Sequence, residues 1–252
     1  MLTTRVIPVL LLRDKGLVKT VKFDKPTYVG DPINAVKIFN DKEVDELIFL
    51  DIRASIDQRA PLMDVISSIA NECFMPLCYG GGVKDIDTMK RIYALGVEKI
   101  AINTSAQKNP DLIEEAARIF GSQSVVVSID VKKNIFGRYE IVRCDGKNRT
   151  GIDPVGFAKQ MEERGAGEIM LNSVDRDGTM KGYDLKLIND VSAAVKIPLI
   201  ACGGAGKLED FRQAIAAGAA AAAAGSMFVF YGPNRAVLIN YPSRDELESI
   251  LN

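Results

Sequence analysis

The 252-residue chain contains no histidine and no tryptophan, and only four cysteines. Without histidine, neither a thiol–imidazole zinc site nor a Ser–His or Cys–His nucleophile pair can be built within the chain. Cys73, Cys78, Cys144 and Cys202 show no CxxC spacing, so they read as reduced thiols rather than metal ligands. There is no G-x-x-x-x-G-K-[ST] loop for a nucleotide triphosphate. No metal and no cofactor is therefore expected, and acid–base work falls to carboxylates, lysine, tyrosine or cysteine. A net charge of −1 argues against a nucleic-acid binder or a basic membrane-surface helix. No apolar run approaches the roughly 20 residues of a membrane span. The opening MLTTRVIPVLLLRDKG reads as a first strand rather than a secretory signal, which places the protein in the cytoplasm.

What the chain does have is alternation. Short apolar runs, ELIFLDI (46–52), MPLCYGGG (75–82), KIAINT (99–104), SVVVSID (124–130), EIMLNS (168–173) and IPLIACGGAG (197–206), read as buried parallel strands. Between them lie amphipathic stretches such as DPINAVKIFNDKE, NPDLIEEAARIFG and KLEDFRQAIAAG, several opening on Asp or Asn and several closing on Gly. With RVIPVLLL first and AAAAGS last there are eight strand candidates. Such alternation means an open doubly wound sheet or a (β/α)8 barrel.

An internal repeat favours the barrel. PLCYGGGVKDIDTMKRIYALGVEKIAINT, from Pro76, returns as PLIACGGAGKLEDFRQAIAAGAAAAAAGS, from Pro198, an offset of 122 residues. Gly81 meets Gly203, Gly82 meets Gly204, Thr104 meets Ser226 and Glu46 meets Glu168. Each half carries four strand–helix units, and two such halves close into one TIM barrel spanning residues 1–252 as a single domain. The alanine run at 219–224 fits poorly with the strand the repeat places there, because alanine is a weak strand former.

In such barrels chemistry lies at the C-terminal strand ends. The repeat puts Gly81 and Gly82 with Asn103 and Thr104 on one side of the mouth, and Gly203 and Gly204 with Gly225 and Ser226 on the other. Glycine lets the backbone approach an anion, and a hydroxyl at a helix start adds a donor. Two such sets suit a small molecule with a phosphate at each end. Asp130 ends its strand run and is the leading acid–base candidate. Asp51 and Asp175 are further carboxylate candidates, and Asp177 with Gly178 could order the phosphate loop. Half-barrel symmetry sets Asp130 against Leu11, at an offset of 119, so one half of the mouth has a carboxylate and the other a leucine.

These segments, with GDPINAVKIFNDKEVDELIFLDI, FGSQSVVVSID, GAGEIMLNSVDRDGTMKGYD and IACGGAGKLEDF, resemble the cyclase subunit of imidazole glycerol phosphate synthase over essentially the whole chain. The resemblance implies a barrel that takes ammonia from a HisH-like glutaminase subunit at its N-terminal face and uses it on a bis-phosphorylated ribonucleotide. It implies an aspartate pair, of which Asp130 is present and the first-strand member is Leu11; a loop lysine, Lys19; and a charged ammonia gate of Arg5, Glu46, Lys99 and Glu168. Together with LLLRDKGLVKT and the tail FVFYGPNRAVLINYP, Leu11 resembles a divergent branch tied to surface-polysaccharide synthesis. The expectation from that branch is ammonia delivery toward an ATP-dependent sugar amidotransferase that forms an acetamidino sugar. The alternatives are a working cyclase of histidine biosynthesis and a non-catalytic scaffold.

Overall fold

The computed structural model describes residues 4–143 and 146–251, so Cys144 lies outside the described residues. Eight parallel strands form the barrel: β1 (Arg5–Arg13), β2 (Leu47–Asp51), β3 (Leu77–Gly80), β4 (Lys99–Ile102), β5 (Val125–Lys133), β6 (Glu168–Ser173), β7 (Leu199–Cys202) and β8 (Ala221–Ala224). Each pairs with the next, and β8 returns to β1, where Arg5 faces Ala221 and Pro8 faces Ala224. The sheet is closed, so the expected (β/α)8 barrel is the fold.

The helices between and after the strands are α1 (Pro32–Asp41), α2 (Met63–Glu72), α3 (Ile86–Tyr93), α4 (Asp111–Phe120), α5 (Pro154–Glu163), α6 (Leu185–Ser192), α7 (Leu208–Ala216) and α8 (Arg244–Leu251). The repeat is visible in their caps. Asp31 and Asp153 are 122 residues apart, each precedes a proline, and each accepts a hydrogen bond from the third residue on (Asn34 N at 3.0 Å, Gly156 N at 2.7 Å). Asp takes an orphan amide of the first turn, and Pro at the first helical position needs no partner for the N–H it lacks. Among the described residues no helix is long and apolar enough to cross a membrane.

Strand alternation sorts the apolar residues into two cores. Val6, Leu10, Leu47, Phe49 and Phe211 pack in the layer between sheet and helices. Ile7, Val9, Ile48, Cys78, Ala101, Val126, Met170 and Ile200 fill the barrel itself, with Ala221 and Ala223. Here the alanine run finds its reason. β8 sends Ala221 and Ala223 inward beside the bulkier Arg5 and Ile7 of β1, while Ala222 and Ala224 face the helices. A closed barrel leaves no room for large side chains on every strand of a layer, and β8 is held by its neighbours rather than by its own propensity.

The stretch after Arg13, read as a loop from sequence, folds instead as a hairpin. Gly16–Val21 pairs antiparallel with the end of β1, turning through Asp14 at φ 58°, and then with Asp24–Gly30. This hairpin extends the barrel wall over one side of the mouth. Because Ala223 is fully buried beside Ile7 inside the barrel, Ala223→Leu is expected to cost about 1–3 kcal/mol by overpacking, read as a lower urea midpoint at an unchanged m-value.

Candidate functional site

At the N-terminal end of the barrel four charged side chains close into a ring. Arg5 bridges Glu46 (2.5 Å) and Glu168 (2.7 Å), and Lys99 bridges the same two carboxylates at 3.0 Å each. The two glutamates sit on opposite strands at the repeat offset. Burial works against the Arg5 charge, but Glu168 and Glu46 outweigh it and hold its pKa above the ordinary value. All four residues picked out from the sequence therefore meet in one alternating ring. Ala221, the β8 counterpart of Lys99, leaves the space across which Arg5 reaches.

At the other end a cavity of about 510 Å³ runs from the loops down to Val9, Ala101 and Met170. That size suits a drug-sized metabolite. Both glycine sets line it. Gly81 (φ 116°), Gly82 (φ 72°), Gly203 (φ 86°) and Gly204 (φ 120°) adopt backbone that other residues rarely reach, and in both halves it comes directly after the strand. Asn103 precedes the short helix Thr104–Lys108, and Gly225 precedes its counterpart Ser226–Val229. Thr104 Oγ1 and Ser226 Oγ are both buried with no hydrogen-bond partner. One unsatisfied buried hydroxyl costs roughly 1–3 kcal/mol. These two are related by the repeat and line one cavity.

Asp130 lies at the floor of the mouth, buried on β5. Its two oxygens accept from Asn103 Nδ2 (2.7 Å) and Asn172 Nδ2 (3.0 Å). Burial raises its pKa to about 7 despite these donors, which favour the ionised form, with the nearby Asp177 adding to the rise. A carboxyl poised there can give or take a proton at neutral pH. Leu11 lines the same cavity. The register confirms the expected correspondence: Leu11 faces Leu50 as Asp130 faces Asn172, and Leu50 and Asn172 are themselves 122 residues apart. The floor is thus apolar on one side and polar on the other.

Lys19 sits on the hairpin strand rather than in a loop, fully buried, with its ammonium donating to the carbonyl oxygen of Val9 beneath Gly225. Burial lowers its pKa to about 8, against the pull of Asp177. Asp177 and Gly178 line the same cavity as the glycine turns. Asp177 ties the hairpin down, its carbonyl accepting from Lys22 N (3.0 Å) and its carboxylate from Thr20 Oγ1 (3.3 Å), while Gly178 fits under the Thr20 carbonyl at φ 69°. Asp175 accepts from Lys133 N at 2.9 Å and is likewise a loop pin. Asn172 was missed from sequence; its only signal is its place at the repeat offset from Leu50.

Fold and site together define a (β/α)8 barrel with two glycine-and-hydroxyl cradles flanking a buried carboxyl and a charged ring at the far end. A family model described as "Histidine biosynthesis protein" matches residues 5–233. A Pseudomonas aeruginosa protein provisionally named imidazole glycerol phosphate synthase subunit hisF2 is 51% identical over 249 residues, covering 98% of this chain and 99% of its own. A Vibrio vulnificus protein, provisionally named subunit hisF3, is 50% identical, with 100% and 97% covered. The imidazole glycerol phosphate synthase subunit HisF of Methanocaldococcus jannaschii is 44% identical, with 88% and 89% covered. The chain belongs to the HisF family of imidazole glycerol phosphate synthase subunits.

The raised Asp130 pKa has a measurable consequence. Between about 4 and about 7 the folded protein keeps a proton that the unfolded chain releases, so this group lowers stability as pH rises through that window. Asp130→Asn removes the effect. Urea titrations are expected to show the variant gaining on the unmodified protein from pH 4 to pH 7, with little difference at the acid end.

Proposed function

We propose that the chain is the ammonia-using barrel subunit of a glutaminase-dependent complex of the imidazole glycerol phosphate synthase type. Its ligand at the mouth carries two phosphates. The observation that carries this is the pair of buried, unpartnered hydroxyls, Thr104 and Ser226, placed by the repeat on opposite sides of the cavity that holds Asp130. In this reading a HisH-like glutaminase docks at the Arg5–Glu46–Lys99–Glu168 end, as the resemblance to the cyclase subunit implies. Ammonia crosses the ring, passes between the small Ala101 and Ala223, and emerges beside Asp130. The cradles fix both ends of the substrate, so the reacting carbon is held over the carboxyl. Asp130, half ionised near neutrality, takes the proton that the attacking nitrogen sheds and returns it during ring closure.

Leu11 sets how far this chemistry goes. A leucine neither donates nor accepts a proton, and loss of one general acid or base slows a reaction about 10²–10⁴-fold. The cyclase reaction, giving imidazole glycerol phosphate and an aminoimidazole carboxamide ribonucleotide, then runs slowly on Asp130 alone. A second reading is favoured by Leu11 and by nothing else in the mouth. In it the barrel hands its ammonia to an ATP-dependent amidotransferase acting on an N-acetyl sugar, and the cavity binds a phosphorylated molecule or phosphate ions without turning it over.

A coupled assay with the cognate glutaminase, glutamine and the cyclase's bis-phosphorylated ribonucleotide separates the two. Slow turnover that rises about 10²-fold or more in Leu11→Asp is the expected result. No turnover in either protein, with glutamine hydrolysis intact, overturns the cyclase reading in favour of the second.

A further inference from the structure

The two anion cradles are alike in their glycines and hydroxyls but not in what holds them. Behind the first lies Asp51, at the end of β2, whose side chain is only 2% exposed. Its Oδ1 accepts from Arg53 N (3.0 Å), Ala54 N (3.0 Å) and Arg59 Nη2 (2.9 Å), and its Oδ2 lies 2.8 Å from the same guanidinium nitrogen. One carboxylate thus ties both ends of the segment 51–59 together. That segment is the wall of the first cradle. The Gly81 α-carbon packs on the Asp51 backbone too closely for any side chain. A Cβ at Gly82 would lie 2.8 Å from Ala54 Cβ and 3.0 Å from the Arg59 carbonyl oxygen. The Gly82 amide itself donates to Ser55 Oγ at 3.3 Å.

At the repeat offset the counterparts of Asp51 and Arg59 are Ser173 and Lys181. Serine carries no charge, so the second cradle cannot be braced by such a pair. Its glycines pack on backbone as Gly81 does, Gly203 against Ser173 and Gly204 against Gly182, and its loop is tied by the buried Asp210, whose Oδ2 accepts from Gly206 N (2.8 Å) and Lys207 N (3.1 Å).

We infer that Asp51 and Arg59 are positioning residues for one phosphate site only, the Gly81–Gly82–Thr104 cradle, and that the Gly203–Gly204–Ser226 cradle is independent of them. The inference rests on the reading of both cradles as phosphate sites. It makes the ends of the cavity unequal: one phosphate is held by a loop that depends on the buried Asp51–Arg59 pair, the other by a turn tied through Asp210 to backbone amides. A buried pair broken by removal of one charge leaves the other uncompensated, so the wall at residues 51–59 shifts while the barrel strands stay put.

The test is a titration of the ¹⁵N-labelled protein with inorganic phosphate, following the amides of Gly82 and Thr104 separately from those of Gly204 and Ser226. The unmodified protein is expected to show saturable shifts in both sets. In Asp51→Asn, affinity read at Gly82 and Thr104 is expected to fall about tenfold or more, the loss of one charge-assisted contact network, with Gly204 and Ser226 unchanged. Arg59→Lys keeps the charge and is expected to fall between the two; it also serves if Asp51→Asn does not fold. Unchanged affinity at both sets, or equal weakening of both, overturns the inference. No shifts in the unmodified protein overturn the phosphate reading itself.

Discussion

Closure of the sheet is the constraint on which everything else depends. Once β8 pairs with β1, every second residue of every strand must enter the barrel, and its height there is fixed by register rather than by its own chemistry. This turns a linear repeat into a spatial one. Glu46 and Glu168 lie at the same depth on opposite walls, and so do Ala101 and Ala223. Thr104 and Ser226 follow beyond the strand ends. The charged ring is a consequence: two carboxylates facing each other in a narrow bore would repel, and Arg5 and Lys99 from the strands between them neutralise both. A closed, hydrogen-bonded set of this kind holds a specific geometry, whereas one lost partner strands a buried charge.

Against that symmetric frame the departures stand out. The mouth floor has Asp130 with Asn103 and Asn172 on one side, and Leu11 with Leu50 on the other. The hairpin that carries Lys19 covers the β1 side and is tied across to Asp177, and its counterpart in the second half is the end of β5 paired antiparallel with the short strand Tyr139–Ile141. The frame is duplicated; the polar groups of the floor are concentrated on one side. Such division is general for barrels, whose strand layers carry stability while the loops at the C-terminal face carry function.

Most of this was legible in the sequence because a barrel's information is periodic. The strands, the glycine turns and the two ring glutamates recur at fixed offsets, Arg5 and Lys99 came from the family resemblance instead, and the correspondence of Leu11 with Asp130 survives in the register. What was not legible is contact between residues without a shared period. The hairpin at Gly16–Val21 was invisible because LVKTV followed by a charged turn reads equally as loop or strand. Asp51, picked out as a strand-end carboxylate, is pinned by Arg59, and Asp177, picked out as a loop residue, is bonded to the hairpin, contacts that depend on loop paths. The alanine run misled on propensity and made sense only once its neighbour strand, with Arg5 and Ile7, was in place.

Leucine at position 11 also changes the electrostatics of what remains. Two carboxylates across a small floor titrate as a pair, in two steps that belong to neither residue alone. With Leu11 opposite, Asp130 has no near like charge on the floor, and its proton is governed by burial and by the two amide donors, with Asp177 a lesser influence. Burial raises its pKa to about 7, where both protonation states are accessible near neutrality. Leu11, at the symmetric place on β1, can neither take nor give a proton, so acid–base work on this floor would fall to Asp130 without a partner across from it.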